Sequence, residues 1–417
     1  MQGSESDPIE QPVPSDTTHS KPAWFELRVG AIFAAVFITM GVHLPYFPLW
    51  LDTLGFAAGE IAVILAAPMF LRVATTPLVT ALADRIGERA WVLIAVTAAA
   101  LLVSLAYFLP QAYLLTLVAS LAFAVFLAPQ VPLSDALAVS GVRRFGSDYA
   151  RMRVWGSVSF LLVNLVCGWA IARNGAGVVP AMLTFGLAAT LVIALAAPRL
   201  GRPRQPSTPS VAALPRAGML SNRPFMAMML GYGLVTGSHG FLYAFVSIYW
   251  QALGINGTTV GMLWAVSVVS EVILFAVFRP IFGRVRSSTI LAMGAGAATL
   301  RWLLFPLIEP VGGGLSAFFV IQCLHGFSFG MTLLGLQKRV AESVPEDRAG
   351  GAQGLAYFVS GLSMAAVTLG SGVLYARFGV GGFVAMALLT LAALALIIVA
   401  RAQPQSSGDG GETREPS

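Results

Sequence analysis

Twelve times along the chain, an apolar run of about twenty residues or more recurs. That is the number of helical residues needed to cross the ~30 Å hydrocarbon core of a bilayer. The runs cover residues 24–51, 57–80, 90–109, 112–138, 152–173, 177–198, 223–250, 257–278, 288–308, 313–337, 350–376 and 380–401. Of 417 residues, 57% are hydrophobic and 11% charged, whereas a soluble domain carries roughly 25% charged residues. A chain this apolar has bilayer as its solvent. Within lipid, every backbone N–H and C=O must be satisfied inside the segment, so the predicted fold is an all-α membrane protein of twelve transmembrane helices.

The longest polar connection, PRLGRPRQPSTPSVAALPRAGMLSNRP, falls between the sixth and seventh runs. It divides the chain into two six-helix bundles, residues 24–198 and 223–401, joined by a linker at 199–222. The segment MQGSESDPIEQPVPSDTTHSKP at the start is polar and Pro-rich and lacks the apolar core of a signal peptide. Residues 1–22 and 402–417 are expected to be disordered cytoplasmic tails. Lys and Arg favour cytoplasmic loops. With the N-terminus inside, 20 of the 25 basic residues lie on the inner side and only Arg173 and Arg377 on the outer. Arg72, Arg153 and Arg301 fall within or at the edge of spans. Both termini are therefore expected in the cytoplasm of a bacterial-type inner membrane, with the chain acting as a monomer.

The net charge of +6 does not point to nucleic acid, because the arginines are scattered over short loops rather than clustered on one module. Cys167 and Cys323 give neither a disulfide framework nor a zinc spacing. There is no His-Glu-x-x-His, no nucleophile elbow in a suitable context and no phosphate loop. The inner loops are too short for a nucleotide domain. No enzyme, metal or cofactor is expected; a proton gradient is the expected energy source, and the partners are a small solute, protons and lipid.

The halves read as distant repeats. A shift of 199 residues lays PLWLDTLGF on SIYWQALGI, with Leu54–Gly55 on Leu253–Gly254, Arg72 on Glu271 and Arg85 on Arg284. Repeated six-helix units with a site between them near mid-depth are the pattern of secondary transporters.

Charges inside the spans sharpen this. The stretch WAVSVVSEVILFAVF, residues 264–278, contains a single carboxylate, Glu271. A charge at the bilayer centre costs at least ~2.5–3.5 kcal/mol on insertion scales, so such groups face protein or a wet cavity. The set comprises Arg72 (span two), Asp135 (four), Arg153 (five), Glu271 (eight) and Arg301 (nine), with His43, His239 and His325 as further titratable groups. Helical spacing adds companions on shared faces: Trp264 and Ser267 with Glu271; Ser157, Phe160 and Asn164 with Arg153; Tyr232, Thr236 and Tyr243 with His239; Gln322, Phe329 and Thr332 with His325; and Gln353, Tyr357 and Ser360 together. Several such faces can enclose one cavity. Each also has a structural reading: Asp135–Arg153 as an interfacial pair, Glu271–Arg301 as a permanent ion pair, His43 and His239 as packing histidines, and Arg72 as a brace.

The segment TALADRIGERA resembles the loop signature of the major facilitator superfamily, Gly-x3-Asp-Arg-x-Gly-x-Arg. Asp84, Arg85, Gly87 and Arg89 match it, and Thr80 replaces the leading Gly. The resemblance implies that Asp84 accepts bonds from a neighbouring helix end and holds the cytoplasmic side closed. The buried set is similar to that of lactose permease and its relatives: Asp135, then Arg153 eighteen residues on, then Phe160 seven further, with Glu271, Arg301 and His325 on spans eight, nine and ten. The similarity covers about residues 24 to 401. Ser328 stands where those sugar permeases keep a proton-carrying Glu, Phe160 replaces Trp, and Arg72 is an added cation. The stretches HLPYFPLWLDTLGF, RMRVWGS and LHGFSFG look more like the phenylpropionate permease branch, which implies an aromatic carboxylate as cargo.

The expected activity is proton-coupled uptake of a small organic acid, an aromatic carboxylic acid on the strength of the resemblance. A drug-efflux antiporter of the same fold, a sugar or nucleoside symporter, and a membrane-embedded enzyme or receptor are the alternatives. Asp135, Arg153, Phe160, Asn164, His239, Trp264 and Arg72 are expected to bind substrate, with Asp135 holding the fork of Arg153. Glu271 is expected to carry the proton. Its apolar flanks Val268, Val269, Val272 and Ile273 favour the neutral acid, and Arg301 and His325 are expected to drive release.

Overall fold

The structure, a computed structural model, describes residues 21–201, 222–344 and 346–402. Most of the expected tails, and residues 202–221 of the linker, lie outside the described residues.

Helices account for the whole architecture; no strand occurs among the described residues. The first bundle contains α1 (Phe25–Thr53), α2 (Ala58–Ile86), α3 (Arg89–Ser104), α4 (Tyr113–Leu127), α5 (Gln130–Phe145), α6 (Tyr149–Asn174) and α7 (Val179–Leu195). The second contains α8 (Arg223–Ala252), α9 (Gly257–Phe282), α10 (Ser287–Leu304), α11 (Gly314–His325), α12 (Met331–Ser343), α13 (Glu346–Phe378) and α14 (Phe383–Ala402). α4 and α5 share one crossing around Ala128–Pro129, and α11 and α12 share another through a π turn at Gly326–Gly330. Among the described residues the crossings therefore number twelve.

Ten stretches are long and apolar enough to span a membrane by composition, one of which, 351–401, holds both α13 and α14. The remaining crossing is α8. Its sequence carries Ser238, His239 and four central glycines, and twenty of its residues are buried. A helix enclosed by protein does not need an apolar outer face.

An even number of crossings leaves Phe25 and Ala402 on the same side, called the terminal face below. There the helices outrun the apolar segments. α2 continues to Ile86 rather than ending near 80, α5 to Phe145 rather than 138, and α12 to Ser343 rather than 337. Hydropathy marks the oil, whereas the i→i−4 ladder continues wherever polar side chains can reach water. Asp84 and Arg85 thus sit in the last turn of α2 and not in a loop.

The internal repeat is visible in the backbone. Gly55 and Gly254, equivalent under the 199-residue shift, have φ of 81° and 79°, a left-handed conformation that favours glycine. The same shift carries the α4–α5 break at Ala128–Pro129 onto Phe327–Ser328, inside the π turn. Both halves interrupt the same crossing at the same depth, which is where repeat-built transporters place their sites.

The halves meet at the face opposite the termini. A Cβ built on Gly168 (α6) would lie 2.4 Å from the Gly257 carbonyl oxygen of α9, and one on Gly257 2.5 Å from that of Gly168. On the other flank, a Cβ on Gly372 (α13) would lie 2.8 Å from the Ala58 carbonyl oxygen of α2. Only glycine permits these approaches. Nearer mid-depth the α2–α13 contact relaxes: a Cβ on Gly361 would meet Val73 at 3.7 Å. Toward the terminal face, Tyr149 on α6 and Tyr357 on α13 lie within each other's electrostatic reach, yet are 37% and 69% exposed. The space between the bundles is closed opposite the termini and open toward them.

Candidate functional site

The second bundle contains a continuous polar network in its interior. Arg301, near the end of α10, is fully buried, where an unpaired donor is costly; both Nη atoms find protein acceptors and Nε does not. Nη2 donates to Gln322 Oε1 at 2.6 Å, and Nη1 to His325 Nδ1 at 3.1 Å and Ser328 Oγ at 3.3 Å. Gln322 in turn donates to Ser267 Oγ at 2.8 Å and the Leu263 carbonyl at 3.2 Å. The guanidinium also lies 4.8 Å from the Trp302 ring.

Donor and acceptor inventories orient the imidazoles. Arginine has donors only, so His325 Nδ1 accepts and the proton of the neutral ring sits on Nε2. That atom is 3.6 Å from Glu271 Oε2. His239 Nδ1 faces the Val235 carbonyl at 3.0 Å and must donate to it; its Nε2 therefore accepts from Ser328 Oγ at 3.2 Å. A directed chain of groups results, from Glu271 through His325, Arg301 and Ser328 to His239.

The π turn positions this chain. Gly326 N donates to Ser270 Oγ at 3.1 Å, and a Cβ on Gly326 would sit 2.7 Å from the Ser270 carbonyl oxygen. Crossing ten is thus pressed against α9 beside Glu271, which brings His325 to the carboxylate. Phe329 stacks on His325 at 5.3 Å and 8°. π turns are frequent at functional sites because they re-aim side chains.

In the first bundle, Asp135 Oδ1 accepts from Tyr149 OH at 2.8 Å. Arg153 lies over Phe37 at 4.1 Å and Phe33 at 5.5 Å, and its charge acts on both Asp135 and, across the gap between bundles, Glu271. Arg72 on α2 has no carboxylate, carbonyl or ring partner among the described residues. Near it, His43 stacks on Phe47 (4.6 Å, 17°) and Phe123 (5.6 Å, 23°), within the field of Arg72.

Several expected roles change with this placement. Glu271 and Arg301 are not paired, because His325 stands between them. Asp135 does not hold the fork of Arg153 here; Tyr149 takes its oxygen, and the guanidinium stacks on phenyl rings instead. Asn164 is fully buried in the inter-bundle seam. Its backbone carbonyl accepts from Tyr46 OH at 2.8 Å and would meet a Cβ on Gly261 at 2.6 Å, so it packs the halves and faces no cargo. His239 is also fully buried and belongs to the Arg301 network. Trp264 donates to Ser247 Oγ at 3.0 Å and lies against Tyr243. Phe160, Arg153 and Arg72 retain partial exposure between the bundles.

Two functional groups escaped sequence reasoning. Ser328 reads as the loss of a proton carrier, yet it bridges Arg301 and His239. Tyr149 lies four residues before Arg153 on one helix face, and that spacing is the signal that could have found it.

At the terminal face, Arg89 clasps Asp84 Oδ1 through Nε (3.0 Å) and Nη2 (2.8 Å) and donates through Nη1 to Ser140 Oγ on α5 at 2.8 Å. Gly87, with φ 80°, caps α2; Arg85 is exposed. The signature therefore ties the α2–α3 turn to the outer part of crossing four. Its counterpart in the second half is Lys338 on α12, which donates to the Gly283 and Val285 carbonyls at 2.6 and 2.7 Å.

A separate groove of ≈ 330 Å³ between α9 and the π turn is lined by Val269, Ile273, Val277, Phe327 and similar groups. Its apolar walls suit a lipid chain and set it apart from the polar cavity.

Comparison with known proteins agrees with this geometry. A family described as "MFS_1 like family" matches residues 28–385. A probable 3-phenylpropionic acid transporter of Escherichia coli (strain K12) is 30% identical over 366 residues, 86% of this chain and 94% of the relative. A maltose permease of Geobacillus stearothermophilus is 24% identical over 377 residues, 90% of this chain and 94% of the permease. The crystal structure of the nucleoside transporter NupG superposes with a TM-score of 0.79 at 14% identity, covering 91% of this chain and 100% of that one; at that identity the likeness concerns the fold.

Proposed function

Because this chain belongs to the MFS_1 like family of major facilitator transporters, we propose that it is a secondary transporter that imports a small aromatic carboxylic acid together with a proton. The observation that carries this reading is the similarity, over 86% of this chain, to a probable 3-phenylpropionic acid transporter. The cavity chemistry supports it, since guanidinium suits a carboxylate and the aromatic lining suits a ring. The terminal face is the cytoplasmic one, as the basic loops indicate, and the chain resides in a bacterial inner membrane. The cavity then opens inward, the state that releases cargo to the cell.

Glu271 carries the proton. Arg301 and His325 ride in the same bundle as Glu271, so rocking of the two bundles does not change their distance from it. Arg153 belongs to the other bundle, and its distance to Glu271 must change as the halves rock. Its approach favours the carboxylate and its withdrawal the neutral acid. Arg153 is thus the group that makes proton release depend on conformation, with His325 and Arg301 holding the carboxyl in place.

The test is uptake of labelled 3-phenylpropionate into proteoliposomes under an imposed inward proton gradient, with and without a protonophore. Accumulation that the protonophore abolishes is the expected result. Accumulation of maltose and not of the acid would establish sugar symport, the reading favoured by the maltose permease relative. Cargo-independent extrusion of drugs would establish efflux.

A further inference from the structure

Even with Glu271 ionised, the charges within the spans do not balance. Arg72, Arg153 and Arg301 supply three cations, and Asp135 and Glu271 supply two anions. Arg153 lies in the field of both carboxylates. Arg301 is hydrogen-bonded through Nη1 and Nη2 to Gln322, His325 and Ser328, with Nε unpaired, and is linked through His325 to Glu271. The surplus falls on Arg72.

Arg72 and its neighbour share three properties. Neither the Arg72 guanidinium nor either ring nitrogen of His43 has a hydrogen-bond partner among the described residues, and unlike Arg153 the Arg72 guanidinium has no aromatic ring beneath it either. Both side chains are deep within the protein yet keep part of their surface accessible, as groups lining an internal cavity do. The imidazole is held flat between Phe47 and Phe123, so its ring orientation is set by packing and its nitrogen edge is left free. At this depth α2 faces the other half, where Val73 meets Gly361.

We propose that Arg72 and His43 form the anion subsite of the cargo cavity, with Arg72 gripping a monocarboxylate and His43 donating a second hydrogen bond beside it. This rests on the reading of the cargo as an organic acid. A carboxylate supplies the partner that the Arg72 guanidinium lacks, whereas a neutral sugar leaves that cation uncompensated, the more so once the proton sits on Glu271. The subsite also separates cargo from proton. The acid is held in the first bundle at Arg72 and the proton is held in the second at Glu271. Arg72 and Glu271 are equivalent positions of the internal repeat, so the two halves present opposite charges from matching places.

The experiment compares 3-phenylpropionate with its primary amide, an isostere without charge, on purified protein by calorimetry. Wild type should bind the acid more tightly than the amide. Arg72→Gln should weaken acid binding by about ten- to a hundredfold, the range of a lost charged hydrogen bond, while amide binding stays unchanged. His43→Gln should weaken the acid by a smaller factor. Melting temperature of the ligand-free protein gives an independent readout. Arg72→Gln removes a cation without a partner and should melt at or above wild type, whereas a structural brace would melt lower. Retention of the acid-over-amide preference in Arg72→Gln overturns the subsite, as does a lowered melting temperature with both ligands weakened equally. If wild type binds neither the acid nor any of a panel of monocarboxylates but binds maltose, the reading of the cargo itself falls, and the subsite with it.

Discussion

At the level of single residues, the question is what a carboxylate gains from standing in oil. Glu271 is 3.6 Å from His325 Nε2 and in the field of Arg153, so the ionised form has partners in this conformation. Were it half of a fixed ion pair, its removal would strand a buried cation, at a cost of about 3–5 kcal/mol, and Glu271→Gln would express poorly. As a proton carrier, Glu271→Gln should express normally, bind and exchange the acid, and fail to accumulate it against a gradient; exchange and gradient-driven uptake in the same vesicles distinguish the two. Arg153 has its own signature. If it modulates Glu271 and does not grip cargo, Arg153→Gln should leave acid affinity nearly intact and abolish accumulation. A fall in affinity of about ten- to a hundredfold would instead place the carboxylate on Arg153. The identity of these groups was readable from the sequence, because charged residues in apolar runs are rare enough to stand out. Their partners were less so. Spacing along one helix put His325, Gln322 and Phe329 on one face, and they do meet around Arg301. The insertion of His325 between Glu271 and Arg301 depends on the π turn, which no periodic pattern displays.

At the level of helices, the glycines of the seam decide what the molecule can close. Gly168 and Gly257 bring α6 and α9 so near that either Cβ would fall 2.4–2.5 Å from the other's carbonyl oxygen. Gly168→Val should therefore keep both bundles folded and hold the face opposite the termini ajar. Overpacking typically costs about 1–3 kcal/mol, which by the same arithmetic moves a balanced equilibrium about five- to more than a hundredfold toward the state with that face open. Labelling of a cysteine at Ile171, buried beside the seam, in a background where Cys167 and Cys323 are replaced, should then rise sharply while the melting temperature changes little. Unchanged labelling would show that the seam yields elsewhere. Hydropathy located every crossing but misjudged where several end. It reports the thickness of oil, and α2, α5 and α12 continue into water on polar residues. The break in crossing four carries a sequence mark, Pro129. Its partner in crossing ten carries only the pair Gly326 and Gly330, which any membrane helix can contain.

For the whole molecule, the two bundles and their repeat were legible because a long polar linker and a 199-residue offset are properties of the chain alone. Their docking was not, since contacts such as Gly168 with Gly257 depend on how two rigid units meet. That docking motivates the last expectation. Close packing at Gly168–Gly257 and Gly372–Ala58, with exposed Tyr149 and Tyr357 at the other end, describes one side shut and one side open around a middle that holds Arg72 and Glu271, equivalent positions of the repeat. Rocking about that middle must open the shut side and close the open one together. Spin labels at Asn174 and Leu253 report the face opposite the termini, and labels at Arg143 and Arg284 report the terminal face; all four positions are exposed. In a background where Cys167 and Cys323 are replaced, cargo and pH should lengthen one distance as they shorten the other. If both pairs shift in the same direction, or one moves while the other stays fixed, the bundles do not rock as rigid bodies. The argument that Arg153 changes its distance from Glu271 while Arg301 does not would then fail.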